Sequence, residues 1–176
     1  MKQLCLIFIV FLIATGTVFS QKAEGITWTN YFGIGGSIEV DNIPRDRTAL
    51  HFHGAVCRRM LSHVQIALSA GYHPFGDKGT LVSFGDNFEI ITLGLGGRIN
   101  ALSGSLKTNG YVLIDLGMTL LDSSYWESFH SLGLGVETGL GGRSTLFLQI
   151  QYFAIHDRLA TMKFVYLSAG IGFSPG

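Results

Sequence analysis

The stretch "FVYLSAGIGF", Phe164 to Phe173, decides the fold. Val165, Leu167, Ala169, Ile171 and Phe173 are apolar, and Tyr166, Ser168, Gly170 and Gly172 stand between them. Successive side chains of an extended chain point to opposite sides, so this alternation is a strand with one apolar face and one small, weakly polar face. Which face meets solvent, and what that solvent is, sets the class of protein.

The same alternation recurs upstream in Tyr31–Val40, Leu50–Arg59, Val64–His73, Ile90–Asn100, Tyr111–Leu120, Leu132–Leu140 and Thr145–Ala154. Each segment has the length of a tilted membrane-spanning strand, ~9–11 residues. An even number of strands returns both chain ends to one side of a membrane. "LSH" (Leu61–His63) and "GGR" (Gly141–Arg143) are hairpin-length. "DNIPRDRT", "HPFGDKGTLVSFGDN", "DSSYWESFH" and "HDRLATM" are longer and polar, and Ala101–Asn109 exceeds a tight turn. Centring one hairpin on Ser62 sets Phe52 beside Tyr72 and His51 beside His73. Centring another on Gly142 sets Leu132 beside Tyr152 and Glu137 beside Phe147. Like faces meet in both, so the apolar pattern itself fixes the register.

Composition narrows the class. The chain has 176 residues, enough for one domain, and only 14% are charged, against ~25% in a typical soluble domain. Glycine is abundant (24) and proline scarce (3). The formal net charge is zero, which argues against a nucleic-acid partner. Residues 1–20 read as a signal peptide: Lys2, an apolar run from Leu4 to Ile13, then small residues up to Ser20. The expected organisation is signal peptide 1–20, a periplasmic segment 21–30, a barrel over 31–173 and a tail 174–176. Cys5 falls in the signal peptide, leaving Cys57 without an intrachain partner.

A soluble, lipocalin-like binding barrel would turn the apolar face inward and expose the other. That other face carries Glu39, Arg59, Arg98, Asp115 and Glu137 among many glycines, far short of the ~25–35% charge a soluble surface wants. Small residues suit a narrow lumen instead. A closed barrel is also the only sheet that leaves no unpaired backbone in lipid. The expected fold is therefore an all-β, eight-stranded, antiparallel up-and-down transmembrane barrel, apolar face to lipid. On that reading Leu116 meets hydrocarbon, and Gly117 in the lumen should accept serine cheaply.

The chain resembles the small eight-stranded, porin-like outer-membrane barrels of Gram-negative bacteria. The resemblance spans Tyr31–Phe173 and is carried by "YFGIGGSIEV", "FEIITLGLGGRIN", "YVLIDLGMTLL", "LGLGVETGLGGRSTLFLQIQY" and "FVYLSAGIGF". In that family an alternating apolar run ending on an aromatic is the insertion signal; Val165, Leu167, Ala169, Ile171 and Phe173 fill its places. The tail Ser174-Pro175-Gly176 departs from it, since the family signal usually ends at the aromatic. The resemblance implies location in the outer membrane, with its lipids and the barrel-assembly machinery as partners, and no cofactor. It names no partner for the long loops.

Glu39, Arg59, Arg98, Asp115, Glu137, Gln149 and Gln151 form the expected lumen polar network. Charges of both signs in a narrow lumen should pair, because an isolated buried charge is costly. Such a network plugs the barrel or lines a narrow channel for small solutes. His51, His53 and His73 share the lumen face and either hold a transition metal or are hydrogen-bonded rim groups; with no carboxylate or thiolate placed to complete a shell, no metal site is assigned. Ser123, Ser124, Glu127, Ser128 and His130 read as an exposed polar loop, as does His156–Asp157, so no catalytic site is assigned and the chain is read as a non-enzyme. Trp28, Tyr31, Tyr72, Tyr152 and Phe173 fall near strand ends, as interfacial aromatics do. Arg58 faces lipid by alternation, beside a short turn where it can snorkel or be re-aimed by a bulge. The leading function is structural or surface-interacting, through four long loops.

Overall fold

The computed structural model describes residues 28–40, 48–74, 89–101, 108–121, 125–156 and 161–174. They hold eight strands: β1 Trp28–Glu39, β2 Thr48–Arg59, β3 Val64–Pro74, β4 Glu89–Asn100, β5 Thr108–Leu121, β6 Tyr125–Gly141, β7 Ser144–His156 and β8 Thr161–Phe173. They close in chain order into one antiparallel barrel, β8 pairing back onto β1. The signal-peptide residues lie outside the described residues.

The registers match the apolar pattern. Phe52 faces Tyr72, Leu132 faces Tyr152, and Glu137 faces Phe147. The ladder shifts only at the "GGR" turn, between Gly139 and Gly141, where Gly141 and Gly142 take φ of 101° and 64°. Those left-handed angles suit glycine, which has no Cβ to clash.

Several strands run further than the apolar pattern reaches. β1 begins at Trp28, inside the segment expected to be periplasmic, and β5 begins at Thr108. The largest difference is β6, which begins at Tyr125 rather than Leu132 and absorbs most of "DSSYWESFH". Backbone pairing continues past the hydrocarbon edge, but the outward positions there have no reason to be apolar. The period-two signal fades before the strand does.

The apolar face is outside. Leu95, Leu116, Leu134 and Leu167 are 62%, 61%, 58% and 55% exposed, while Arg98, Asp115, Glu137, Gln149 and Gln151 are buried. A continuous apolar outer wall is what hydrocarbon covers and what a water-soluble barrel cannot carry. The soluble lipocalin-like alternative, with its apolar interior, is overturned by this arrangement.

The lumen is filled by rings laid over glycines. The Tyr111 ring occupies the space a Cβ at Gly135 would take, and Phe129 covers Gly94 and Gly117. A Cβ at Gly117 would also collide with the Leu93 carbonyl oxygen and come 2.8 Å from Gly94 Cα. Both are backbone atoms that cannot swing aside, so Gly117 does not accept serine cheaply, contrary to expectation.

The C-terminal strand closes the seam. Phe173 is paired with Asn30 on β1 and Ser144 on β7. Ser174, first residue of the tail, donates its N–H to the Arg143 carbonyl at 2.9 Å, and its Oγ lies 2.9 Å from Thr29 Oγ1. The Phe173 ring lies on the outer wall, 40% exposed. Phe173→Ala should therefore reduce the fraction reaching the heat-modifiable folded band at a fixed time. The stability of what has folded should fall by less than about 3 kcal/mol, the transfer energy of an apolar ring leaving hydrocarbon. Unchanged assembly would remove Phe173 from the insertion signal.

Candidate functional site

The inward positions build a stack of layers. Toward the short-turn end, Arg98 of β4 places Nη2 2.7 Å from Glu137 Oε2 of β6. Its guanidinium lies 3.5 Å from the Tyr111 ring centroid and 4.7 Å from that of Tyr31. Tyr31 donates its hydroxyl to the same Glu137 oxygen at 3.2 Å, and Arg98 Nε donates to Asn100 Oδ1 at 3.3 Å. An ion pair so buried survives because each partner has further hydrogen bonds or ring contacts.

Above it lie two amide relays. Tyr111 donates to Gln149 Oε1 at 3.1 Å, and Gln149 Nε2 lies 3.3 Å from His53 Nε2. Gln151 Nε2 donates to Asp115 Oδ2 at 3.3 Å and to Ser131 Oγ at 2.6 Å. Asp115 is hydrogen-bonded, without an ion pair among the described residues. Next come the histidines. His51 and His73 share a hydrogen bond between their Nδ1 atoms at 2.8 Å, and both rings stack on Tyr166, at 4.7 and 4.8 Å. The long-loop end is apolar: Ile90, Leu121 and Ile155 are fully buried and Phe164 is 1% exposed. Between the ion pair and this cap lies a chamber of about 80 Å³, lined by Tyr31, His51, Cys57, Arg98, Asp115 and Gln149 among others. That is room for a few waters.

Of the expected polar network, Arg98, Asp115, Glu137, Gln149 and Gln151 come together. Arg59 does not: it is exposed at the short-turn end, opposite Gln65. Glu39 ends β1 opposite Phe164, and its side chain lies outside the described residues. Tyr31 is not an interfacial aromatic but a lumen residue, 6% exposed. Trp28 does face outward, with the Arg58 guanidinium 5.6 Å from its ring centroid; the ladder runs unshifted through Arg58 and Arg59, so no bulge re-aims Arg58. Tyr166 stands on the lumen face of the alternation, as expected, but the sequence reading assigns Tyr111 and Phe153 to neither face and Phe129 to a loop; all three fill the lumen, and their odd–even position is the signal.

His51 and His73 spend Nδ1 on each other and His53 stacks on His51 at 4.8 Å, so the three rings do not aim lone pairs at one point. Among the described residues no group of three or more His, Cys, Asp or Glu is arranged to hold a metal. The Ser–Glu–His cluster is also dispersed. Glu127 and Ser128 point to opposite faces of β6, and His130 Nδ1 lies 2.7 Å from His156 Nε2 on the outer wall. Ser123, Ser124 and Asp157 lie outside the described residues.

No family model and no curated protein matches the chain. Solved structures match its fold. Neisserial surface protein A (NspA) aligns with a TM-score of 0.65 at 11% identity, over 85% of this chain and 99% of that one. The N-terminal β-barrel domain of Pseudomonas aeruginosa OprF aligns at 0.56 and 13%, over 85% and 96%. Ail, the attachment invasion locus protein of Yersinia pestis, solved with the heparin analogue sucrose octasulfate, aligns at 0.54 and 13%, over 86% and 99%. At these identities the likeness is one of fold. With the exposed apolar band, that fold is an eight-stranded transmembrane β-barrel of the outer membrane.

Proposed function

We propose that the protein is an integral outer-membrane barrel with a structural or surface-interaction role, its lumen plugged by side chains. The observation that carries this reading is the Arg98–Glu137 pair clamped between Tyr31 and Tyr111, beneath the cap of Ile90, Leu121, Ile155 and Phe164. A hydrated solute would have to part the ions and then cross a dry layer. Breaking a buried pair alone costs roughly 3–5 kcal/mol. The names of two similar barrels, a surface protein and an attachment protein, support a role outside the lumen. In the same reading Val165, Leu167, Ala169, Ile171 and Phe173 are what the barrel-assembly machinery reads, and the barrel performs no catalysis.

Planar-bilayer recording of the refolded protein tests the plug. Wild type should show no steady conductance steps. Steady steps in wild type that change in Arg98→Met would establish the narrow channel and overturn the proposal.

A further inference from the structure

Among the described residues the outer wall is apolar almost throughout; apart from Arg58, beside Trp28 at the short-turn end, its basic side chains gather in one cluster toward the long loops. Outward positions on β6 run Leu140, Leu134 and Leu132 and then His130; those on β7 run Leu148, Ile150, Tyr152 and Ala154 and then His156; those on β8 run Ile171, Leu167 and Val165 and then Lys163. On three adjacent strands the apolar run thus ends, toward the long loops, on a histidine or a lysine. Ala154 is paired with His130 on one side and with Lys163 on the other. It is only 1% exposed although its Cβ points outward, so its neighbours' side chains roof it. His130 and His156 stack at 4.8 Å with Nδ1 and Nε2 2.7 Å apart, which fixes both rings. Trp126, next but one along the same face from His130, is 48% exposed.

The opposite side of this rim has the reverse character. There Glu89 of β4 accepts the Tyr72 hydroxyl at 3.0 Å. The upper edge of the hydrocarbon band is therefore basic over β6–β8 and acidic at β4. Long loops mark the outer side of such barrels, so His156 and Lys163 lie toward the head groups of the outer leaflet; His130, opposite Leu116 in the ladder, lies deeper and joins them through its bond to His156.

We infer that His130, His156 and Lys163 form a seat for the phosphate group of an outer-leaflet lipid. A lysine on a flexible stem is a good point-charge partner for phosphate. The paired imidazoles add one ring N–H donor at a fixed place, the other being spent between the rings, and the exposed Trp126 indole fits the interfacial layer beside them. The acyl chains of the same lipid would run down the apolar wall over Leu132, Tyr152 and Val165. The inference rests on the outer-membrane reading, which heat-modifiable migration in bilayers tests separately.

The experiment uses the refolded full chain in detergent micelles, titrated with short-chain phosphatidic acid or phosphatidylcholine and read by native mass spectrometry. Wild type should prefer the phosphate monoester by fivefold or more, the scale of one basic residue at a charged interface. The variant His130→Gln/His156→Gln/Lys163→Gln should bring that preference within about twofold, while Glu89→Gln keeps it. Should the triple variant not fold, Lys163→Gln alone should lose most of the preference. No preference in wild type, or one that survives these substitutions, overturns the seat. So does full competition by millimolar inorganic phosphate, which would mean a free-anion site rather than a lipid site. A dimer held through this wall and dissolved by the same substitutions, without lipid preference, also overturns it.

Discussion

Arg98→Met should lower the stability of the refolded barrel by about 3–5 kcal/mol, because it strands Glu137 in the lumen without its cation. The side chain is 5% exposed and lies against two tyrosine rings, so packing is lost as well as charge. Arg98→Met/Glu137→Gln should recover more than half of the loss, since the uncompensated carboxylate goes with the arginine. Urea unfolding in lipid vesicles, followed by tryptophan fluorescence, measures both. An Arg98→Met barrel as stable as wild type would mean that the pair is not what holds the lumen shut.

Leu116→Arg should cost about 2–4 kcal/mol, the penalty for a cation at the midplane of a lipid-facing strand. Leu116 is 61% exposed on the outer wall and flanked by Leu95 and His130 in the ladder. Gly117→Ser, one residue along, tests the lumen side. Its Cβ would meet the Leu93 carbonyl, so it should destabilise comparably but for a steric reason. The two separate by lipid thickness: the arginine penalty should ease in a thinner bilayer, where the cation reaches head groups, and the serine penalty should not. Equal behaviour in both bilayers would refute the assignment of faces.

The barrel was legible because its decisive signal is local. Alternation over Val64–His73 or Phe164–Phe173 needs no knowledge of the rest of the chain, and hairpin geometry then fixes neighbours such as Leu132 and Tyr152. Polar strand ends were not legible. Tyr125–Ser131 pairs with β5, and Ser128–Ser131 with β7, as regularly as the apolar part of β6, yet its composition is that of a loop. Within the lumen the sequence placed Asp115, Glu137 and Gln151 on one face but could not pair them, because contacts across the barrel join strands distant in sequence. Arg98 and Glu137 are on β4 and β6, with β5 between them in the wall, and they meet only because the barrel is narrow. The same distance hid the rings. Phe147 of β7 covers Gly170 on the neighbouring β8 and Gly33 on β1 beyond it, so the small residues that suit a narrow lumen are clearance for an aromatic that the sequence alone does not point at them.

Cys57 gives this enclosed lumen a use at the bench. The residue is 3% exposed and packs with Tyr31, Ala67 and Phe147, inside a barrel that closes only when β8 returns to β1. Its sulfur is therefore reachable before the ring is joined and shielded afterwards, and a thiol reacts only where a reagent can touch it. A pulse of maleimide applied at successive times would tag chains still open and spare those already sealed. In a chain without residues 1–20, and so without Cys5, Cys57 is thus a built-in clock for barrel assembly that needs no engineered label.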